Sequence, residues 1–371
     1  MKKIYLSSPH MSGEEMKYIQ EAFDTNWIAP LGKNVDEFEN AIKKYIGRNY
    51  AVALSSGTAA IHLGLIALNV SEGDYVFCSS LTFSGSCNPI AYLKAKPVFI
   101  DSEPDSWNMS AEALRLAYRK YPNPKALIIV NLYGQSADYD ELLSIAKEHN
   151  TPVLEDAAES LGASYKGVKC GNFGKISILS FNGNKIITTS GGGMLLTDDE
   201  YIAYKAKFRA TQARENFLHY EHKEIGYNYR LSNICAGIGR GQLSALDQRV
   251  KRKKEIYEVY KEAFSDIKSI KMMNISKKGE SNYWLSVMTL EDGNYKPMDI
   301  INALQKYEIE TRPVWKPMHM QPVFKDCPFF TANAEKPVSE DLYERGLCLP
   351  SDTKMTESEQ ELVISKIKNM L

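Results

Sequence analysis

Val153-Leu154-Glu155-Asp156-Ala157-Ala158-Glu159 decides how this chain is read. A short apolar strand, 152–156, ends abruptly in carboxylates. Similar short, mostly apolar segments lie on both sides of it, at 51–55, 75–79, 97–101, 126–132, 176–181 and 193–197. Helical patterns separate them, among them 138–149 and a helix that leaves the Ser56-Gly57 turn and runs through Leu68. Apolar strands alternating with helices predict an α/β fold, a mainly parallel central sheet flanked by helices. Amphipathic helices are predicted at 14–23 and 35–46, before the first strand. After about residue 240 the pattern changes to one long charged helix at 242–266. A strand-like stretch at 284–290, a helix at 297–307 and a closing helix at 356–370 follow, with 277–280 a mobile loop. With 371 residues the chain is too long for one ordinary core. It divides into a large α/β domain, 10–240, and a smaller C-terminal α+β domain, 250–371.

The composition is that of a globular protein in water: 44% hydrophobic and 25% charged residues. A net charge of -1 gives no general attraction to nucleic acid or to an acidic membrane. No apolar run approaches the roughly 20 residues that span a bilayer. Met1-Lys2-Lys3-Ile4-Tyr5-Leu6 is too short in its apolar part for a signal peptide. A cytoplasmic location is expected. The six cysteines are scattered without a CxxC pair, so neither a disulfide framework nor a zinc site is expected. His219 and His222 are three apart, but no Cys or carboxylate pattern completes a metal site.

Three segments carry chemistry. Asp156, at a strand end, stands where open α/β sheets bind ligands and can hold a cofactor cation. A solvated strand terminus would read the same way. Next comes Ser180-Phe181-Asn182-Gly183-Asn184-Lys185, followed closely by Gly191-Gly192-Gly193. A lysine on a turn after a buried strand suits imine formation with an aldehyde cofactor. Ser180 can donate to a phosphate, and the glycines allow close backbone approach. A glycine turn beside a surface lysine is the plainer alternative. Gly57 and Thr58, at a strand-to-helix turn, offer backbone N–H groups to an anion, although Ser56 is also an ordinary helix cap. Phe83 can lie on a cofactor ring or belong to the core.

In this order the segments resemble fold-type I pyridoxal-phosphate enzymes, the aspartate aminotransferase superfamily. More narrowly they resemble the DegT family of sugar-nucleotide aminotransferases. The resemblance extends over nearly the whole chain. It includes Asn26-Trp27-Ile28-Ala29-Pro30-Leu31-Gly32, Ser56-Gly57-Thr58-Ala59-Ala60 and Pro97-Val98-Phe99-Ile100-Asp101. It continues through Gly226-Tyr227-Asn228-Tyr229-Arg230-Leu231-Ser232 and Arg312-Pro313-Val314-Trp315-Lys316-Pro317-Met318-His319. It implies that Lys185 carries pyridoxal 5'-phosphate covalently and moves the proton. It implies that Asp156 pairs with the pyridine nitrogen and that Glu159 lies near the ring hydroxyl or the sugar. Gly57, Thr58 and Ser180 are implied to hold the phosphate, and Phe83 the ring. Asn228 is implied to reach the phosphate of a neighbouring subunit, in a homodimer with shared active sites. Arg230 and His319 are implied contacts of the nucleotide sugar.

Relatives that dehydrate sugars have histidine where this chain has Lys185, so amination is expected. Asn182-Gly183-Asn184-Lys185, Glu159 and the 26–32 loop look most like the bacillosamine branch. Those enzymes convert a UDP-linked 4-keto-6-deoxy-N-acetylhexosamine to the 4-amino sugar, with L-glutamate as donor. Two alternatives stay open: a 3-aminotransferase acting on a 3-keto nucleotide sugar, and a non-catalytic pyridoxal-phosphate-binding regulator. A nicotinamide dehydrogenase fails on the missing GxGxxG after an early strand.

Overall fold

The computed structural model describes residues 3–371. Met1 and Lys2, part of the stretch too short for a signal peptide, lie outside the described residues. Seven strands of the first half form one sheet: β1 (Tyr50–Leu54), β2 (Tyr75–Ser79), β3 (Lys96–Ile100), β4 (Ala126–Val130), β5 (Val153–Asp156), β6 (Ile176–Ser180) and β7 (Gly193–Thr197). Their spatial order is β1-β7-β6-β5-β4-β2-β3, with Phe329–Phe330 added at the outer edge of β3. The pairings from β6 through β3 to Phe329–Phe330 are parallel. Only β7 runs against its two neighbours. The mainly parallel sheet expected from sequence is therefore present.

Alternation along the strands fills two layers. Val76, Cys78, Ile128, Leu154 and Ile178 pack on one face, under the helix Gly57–Ala67. Phe77, Leu127, Ile129 and Val153 pack on the other, with Leu114 of Ala111–Lys120 and Leu142 of Tyr139–Glu148. Strands buried on both faces need apolar residues at every position, which is why they read as continuous runs. Chain order reverses direction between β2 and β4. In such sheets ligands bind in the crevice beyond the strand ends at that point.

The C-terminal part builds a second sheet from Ile270–Met272, Ser286–Leu290, Gly346–Leu349 and Arg312–Pro313. Its core joins Met288, Leu290, Leu347 and Leu349 to Ile256, Tyr260, Ile300 and Val363 from the surrounding helices. Ile4 joins this core and bridges to Ile309. A further cluster, with Leu81, Leu132, Tyr133, Trp284, Leu285 and Val314, seals the junction between the two sheets.

Two expectations are corrected. The helix expected at 242–266 is broken near its start: Asn233–Leu243 ends there, and Leu246–Ala263 fills the rest of the span. The first stops because Gln242 is pinned in the interior, its amide donating to His10 O and Glu15 Oε1. Ser244 then turns back onto Gly241 O. The loop at 277–280 is held in place. Gly279–Glu280 pairs with Ser164–Tyr165, and Lys278 bonds Asp138. The six cysteines are free thiols, four of them buried.

Gly134 ties the two sheets together. It has φ +101°, and a Cβ there would meet Asn282 Oδ1 at 2.1 Å and Trp284 N at 2.6 Å. Gly134→Ala combines left-handed strain with a backbone clash. We expect it to cost at least about 2 kcal/mol of stability. Chemical denaturation checks this, and an unchanged midpoint would refute it.

Candidate active site

The strand ends of the central sheet open into a cavity of about 420 Å³. Gly57, Thr58, Phe83, Asp156, Glu159, Ser180 and Lys185 all line it. Seven of the ten residues singled out from sequence are thus brought to one place from four strand ends.

Alternation separates the two carboxylates at the end of β5. Glu155 turns away from the cavity and accepts from Gly171 N, Phe173 N and Ser177 Oγ at 2.7–2.8 Å. It organises the backbone between β5 and β6. Asp156 turns into the cavity. Its Oδ2 accepts from Ser86 Oγ at 2.7 Å and its Oδ1 from Ala158 N at 3.1 Å. Thr82 Oγ1 lies 2.7 Å from Ser86 Oγ, which makes a relay of hydroxyls behind the carboxylate. Burial pushes the Asp156 carboxyl above its ordinary pKa, while Ser86, Ala158 and Lys185 oppose that shift.

Glu159 is the second buried carboxylate. Its Oε2 accepts from Tyr133 N at 2.8 Å and its Oε1 lies 3.8 Å from Lys185 Nζ. Burial pushes it up to about 7 against the pull of Lys185. Burial likewise lowers the Lys185 amine, which favours the neutral, nucleophilic form. The Trp284 ring lies 4.1 Å from Lys185 Nζ. Tyr133 adopts φ 50°, ψ 23°. That left-handed conformation costs of order 1–3 kcal/mol, and it falls on the residue whose amide bonds Glu159.

The anion cradle is built from the first turn of Gly57–Ala67 and the end of β6. Ser56 Oγ caps Ala59 N at 3.0 Å. The amides of Gly57 and Thr58 have no helical carbonyl to bond. Gly57 passes so close to β6 that a Cβ would sit 3.1 Å from Ser180 Cβ. Gly193 is tighter still: its Cβ would fall 2.4 Å from Gly57 N. The third glycine of the run therefore serves close approach of β7 to the helix start. Phe83 is 55% exposed at the cavity rim and tilts against Trp315, ring centres 5.5 Å apart.

This donor set fits pyridoxal 5'-phosphate. Helix-start amides and a serine hydroxyl suit the phosphate. A carboxylate with spare lone pairs suits a pyridinium N–H. An amine whose charged form burial disfavours suits an aldehyde, and an accessible aromatic ring suits the pyridine face.

Three singled-out residues do not line the cavity. Asn228 is exposed and bridges Thr211. Arg230 bridges Leu54, with its Nε buried and without a hydrogen bond among the described residues. His319 is engaged elsewhere: Nδ1 meets Ser80 Oγ at 2.7 Å, Nε2 meets Glu340 Oε1 at 3.1 Å, and its ring stacks on Phe329. In turn, Ser86, Trp284, Trp315 and Tyr133 build the site and were not singled out from sequence. Trp315 alone lay in a quoted motif.

The raised Glu159 pKa has a linked effect on stability. Between the ordinary carboxylate range and about 7, the folded chain holds a proton that the unfolded chain has released. Stability contributed by Glu159 therefore falls as pH rises through that window. Glu159→Gln, made in the cofactor-free chain, should remove this fall. Its melting temperature should gain on the unaltered chain as pH rises from about 4.5 to about 7. Parallel melting curves across that range would refute it.

The family model of the DegT/DnrJ/EryC1/StrS aminotransferases matches residues 9–368. EpsN of Bacillus subtilis (strain 168), named for a pyridoxal phosphate-dependent aminotransferase activity, is 53% identical over 100% of this chain and 96% of its own. The GDP-perosamine synthase of Escherichia coli O157:H7 is 37% identical over 100% and 98%. The UDP-4-amino-4,6-dideoxy-N-acetyl-beta-L-altrosamine transaminase of Campylobacter jejuni is 33% identical over 70% of this chain and 66% of its own. Among solved structures, a DegT DnrJ EryC1 StrS aminotransferase from Brucella abortus superposes with a TM-score of 0.88 at 28% identity, covering 96% of this chain and 95% of that one. With the cradle, the buried Asp156 and the cavity lysine, these matches make the chain a pyridoxal-phosphate-dependent sugar aminotransferase that belongs to the DegT/DnrJ/EryC1/StrS family.

Proposed function

We propose that this chain moves an amino group from L-glutamate to carbon 4 of a UDP-linked 4-keto-6-deoxy-N-acetylhexosamine. The 4-amino sugar would serve bacterial glycan or exopolysaccharide precursor synthesis in the cytoplasm. The observation that carries the reading is a second cavity, about 450 Å³, that shares Asn184, Trp284 and Trp315 with the first. Arg312 and Lys316 line it. Guanidinium and ammonium groups suit the diphosphate of a nucleotide sugar and the carboxylates of the donor. Trp315 and Tyr133 stack nearly parallel along its wall. An apolar wall with a few charged groups is what an amphipathic sugar nucleotide requires. Carbon 4 and the UDP group rest on the sequence resemblance, and the name of the Campylobacter relative supports both.

Pyridoxal phosphate supplies an electron sink for the pair left when a proton leaves the substrate carbon. The chain's residues do the rest. Lys185, its charged form disfavoured by burial, takes the proton and returns it to the other carbon. Glu159, 3.8 Å away, stabilises the ammonium while the proton is held. Asp156 keeps a proton on the pyridine nitrogen. Gly57, Thr58 and Ser180 bind the phosphate, and Phe83 covers the ring. Trp284 and Trp315 keep water from the amine.

A GDP-linked sugar is the second reading, favoured by the perosamine synthase relatives. Incubation with UDP- and GDP-linked 4-keto sugars and a 3-keto sugar, each with glutamate, separates the readings. Product mass and NMR should show an amine at carbon 4 of the UDP sugar. An amine at carbon 3, or turnover confined to the GDP sugar, would overturn the proposal. Cofactor binding without turnover of any of the three sugars would overturn it as well.

We also propose that two protomers share each site. Leu218, Tyr220 and Ile225 are 107%, 76% and 83% exposed on the segment that leads to Asn228. Apolar side chains so exposed suit a partner surface. An arm packed there could bring the Asn228 amide to the partner's phosphate. Lys185→Ala and Asn228→Asp chains, each inactive alone, should recover about a quarter of the sites when unfolded, mixed and refolded. Mixed dimers without recovered activity would end the shared-site proposal.

A further inference from the structure

Lys253, in the middle of the helix Leu246–Ala263, is only 2% exposed and forms no ion pair among the described residues. A buried ammonium that no carboxylate bonds directly is costly, with Asp352 acting on it only through space, and a hydrocarbon would fill the space better. What a hydrocarbon cannot supply is three directed donors. Lys253 Nζ donates to Trp284 O at 2.9 Å, Ser351 O at 2.8 Å and Ser7 Oγ at 3.3 Å.

Two of these acceptors lead to the same atom. Ser7 Oγ donates to Asn184 O at 3.0 Å, and Trp284 Nε1 donates to Asn184 O at 2.8 Å. Lys253, Ser7, Asn184 and Trp284 therefore close a ring. The Asn184 carbonyl belongs to the peptide that joins Asn184 to Lys185. The indole ring of Trp284 also faces the far end of that lysine, 4.1 Å from Nζ. The ring thus holds both the backbone entry to Lys185 and the surface on which its amine rests. Asn184 is itself exposed, and its carbonyl accepts from both of these donors.

We infer that Lys253 is a positioning residue for Lys185: through Ser7 and Trp284 it sets where the cavity amine meets the cofactor. Oriented attack is sensitive to placement, and a shift of about 1 Å can cost up to about a hundredfold in rate. The inference rests on Lys185 being the residue that holds the cofactor.

The test reads covalent capture directly. The chain is stripped of cofactor and mixed with saturating pyridoxal 5'-phosphate. Samples are quenched with borohydride over time, and label on the Lys185 peptide is measured by mass spectrometry. Lys253→Met should slow capture about tenfold. Ser7→Ala, which opens the ring at one point with little effect on the core, should slow it in the same direction by a smaller factor. Tyr260→Phe is the control. It lies on the same helix and loses a bond to Pro350 O, 3.0 Å, that is no part of the ring. It should lower the melting temperature and leave the capture rate unchanged. Equal slowing by Tyr260→Phe and Lys253→Met at matched melting temperature would reduce Lys253 to a structural role and overturn the inference. If Lys253→Met does not fold, an unchanged rate in Ser7→Ala overturns it alone. Label on another lysine of the unaltered chain is a different failure, one that removes the Lys185 assignment itself.

Discussion

A carboxylate buried at the end of a parallel strand governs this molecule. Asp156 is 4% exposed, and burial raises its pKa. Ser86 and Ala158 satisfy part of its hydrogen-bonding capacity and leave lone pairs directed at the cavity. A group in that state is stable as an anion only beside a cation. The proton-bearing ring nitrogen of pyridoxal phosphate would bring one. The hydroxyl relay through Ser86 to Thr82, the strand end of β5 and the cradle beside β6 all hold position relative to this charge.

The second organising feature is aromatic. Tyr133, Trp284 and Trp315 form a stacked wall between the two sheets. Trp315 N donates to Tyr133 OH at 2.9 Å, and Tyr133 N donates to Glu159. The wall therefore links the C-terminal segment to the carboxylate beside Lys185. It divides the space above the sheet into one cavity lined by Asp156 and Lys185 and another lined by Arg312 and Lys316. The strained backbone at Tyr133 and the close packing at Gly134 are the local cost of bringing these elements together.

Much of this was legible in the sequence. Short apolar segments marked β1 through β7, because strands covered on both faces cannot alternate with polar residues. Asp156 and Lys185 were legible because a charged residue at the end of an apolar run has few ordinary explanations. Other residues carried no such signal. Ser86 is one serine among many until β5 and the turn after β2 are adjacent. Lys253 sits in a run of five charged residues, 251–255, that reads as a solvated helix face. The break at Ser244-Ala245 lies among uncharged residues, and no local signal shows that Gln242 pins the end of the first helix in the interior.

The sequence by itself determined the layer order, the strand ends and the chemistry available at them. Local spacing dictates which residues alternate along a strand and which turn can expose an amide. Tertiary structure alone decided which of those groups meet. Asn131, Glu155 and Gly171 share one hydrogen-bonded cluster, and Lys253, Ser7, Asn184 and Trp284 share another, although all are far apart along the chain. His319, attractive as a substrate contact by its motif, spends both ring nitrogens on Ser80 and Glu340. The physical reason is that burial and hydrogen-bond partnership depend on neighbours brought by the packing of the two sheets. A side chain's charge state and direction follow from those neighbours, which no stretch of sequence contains.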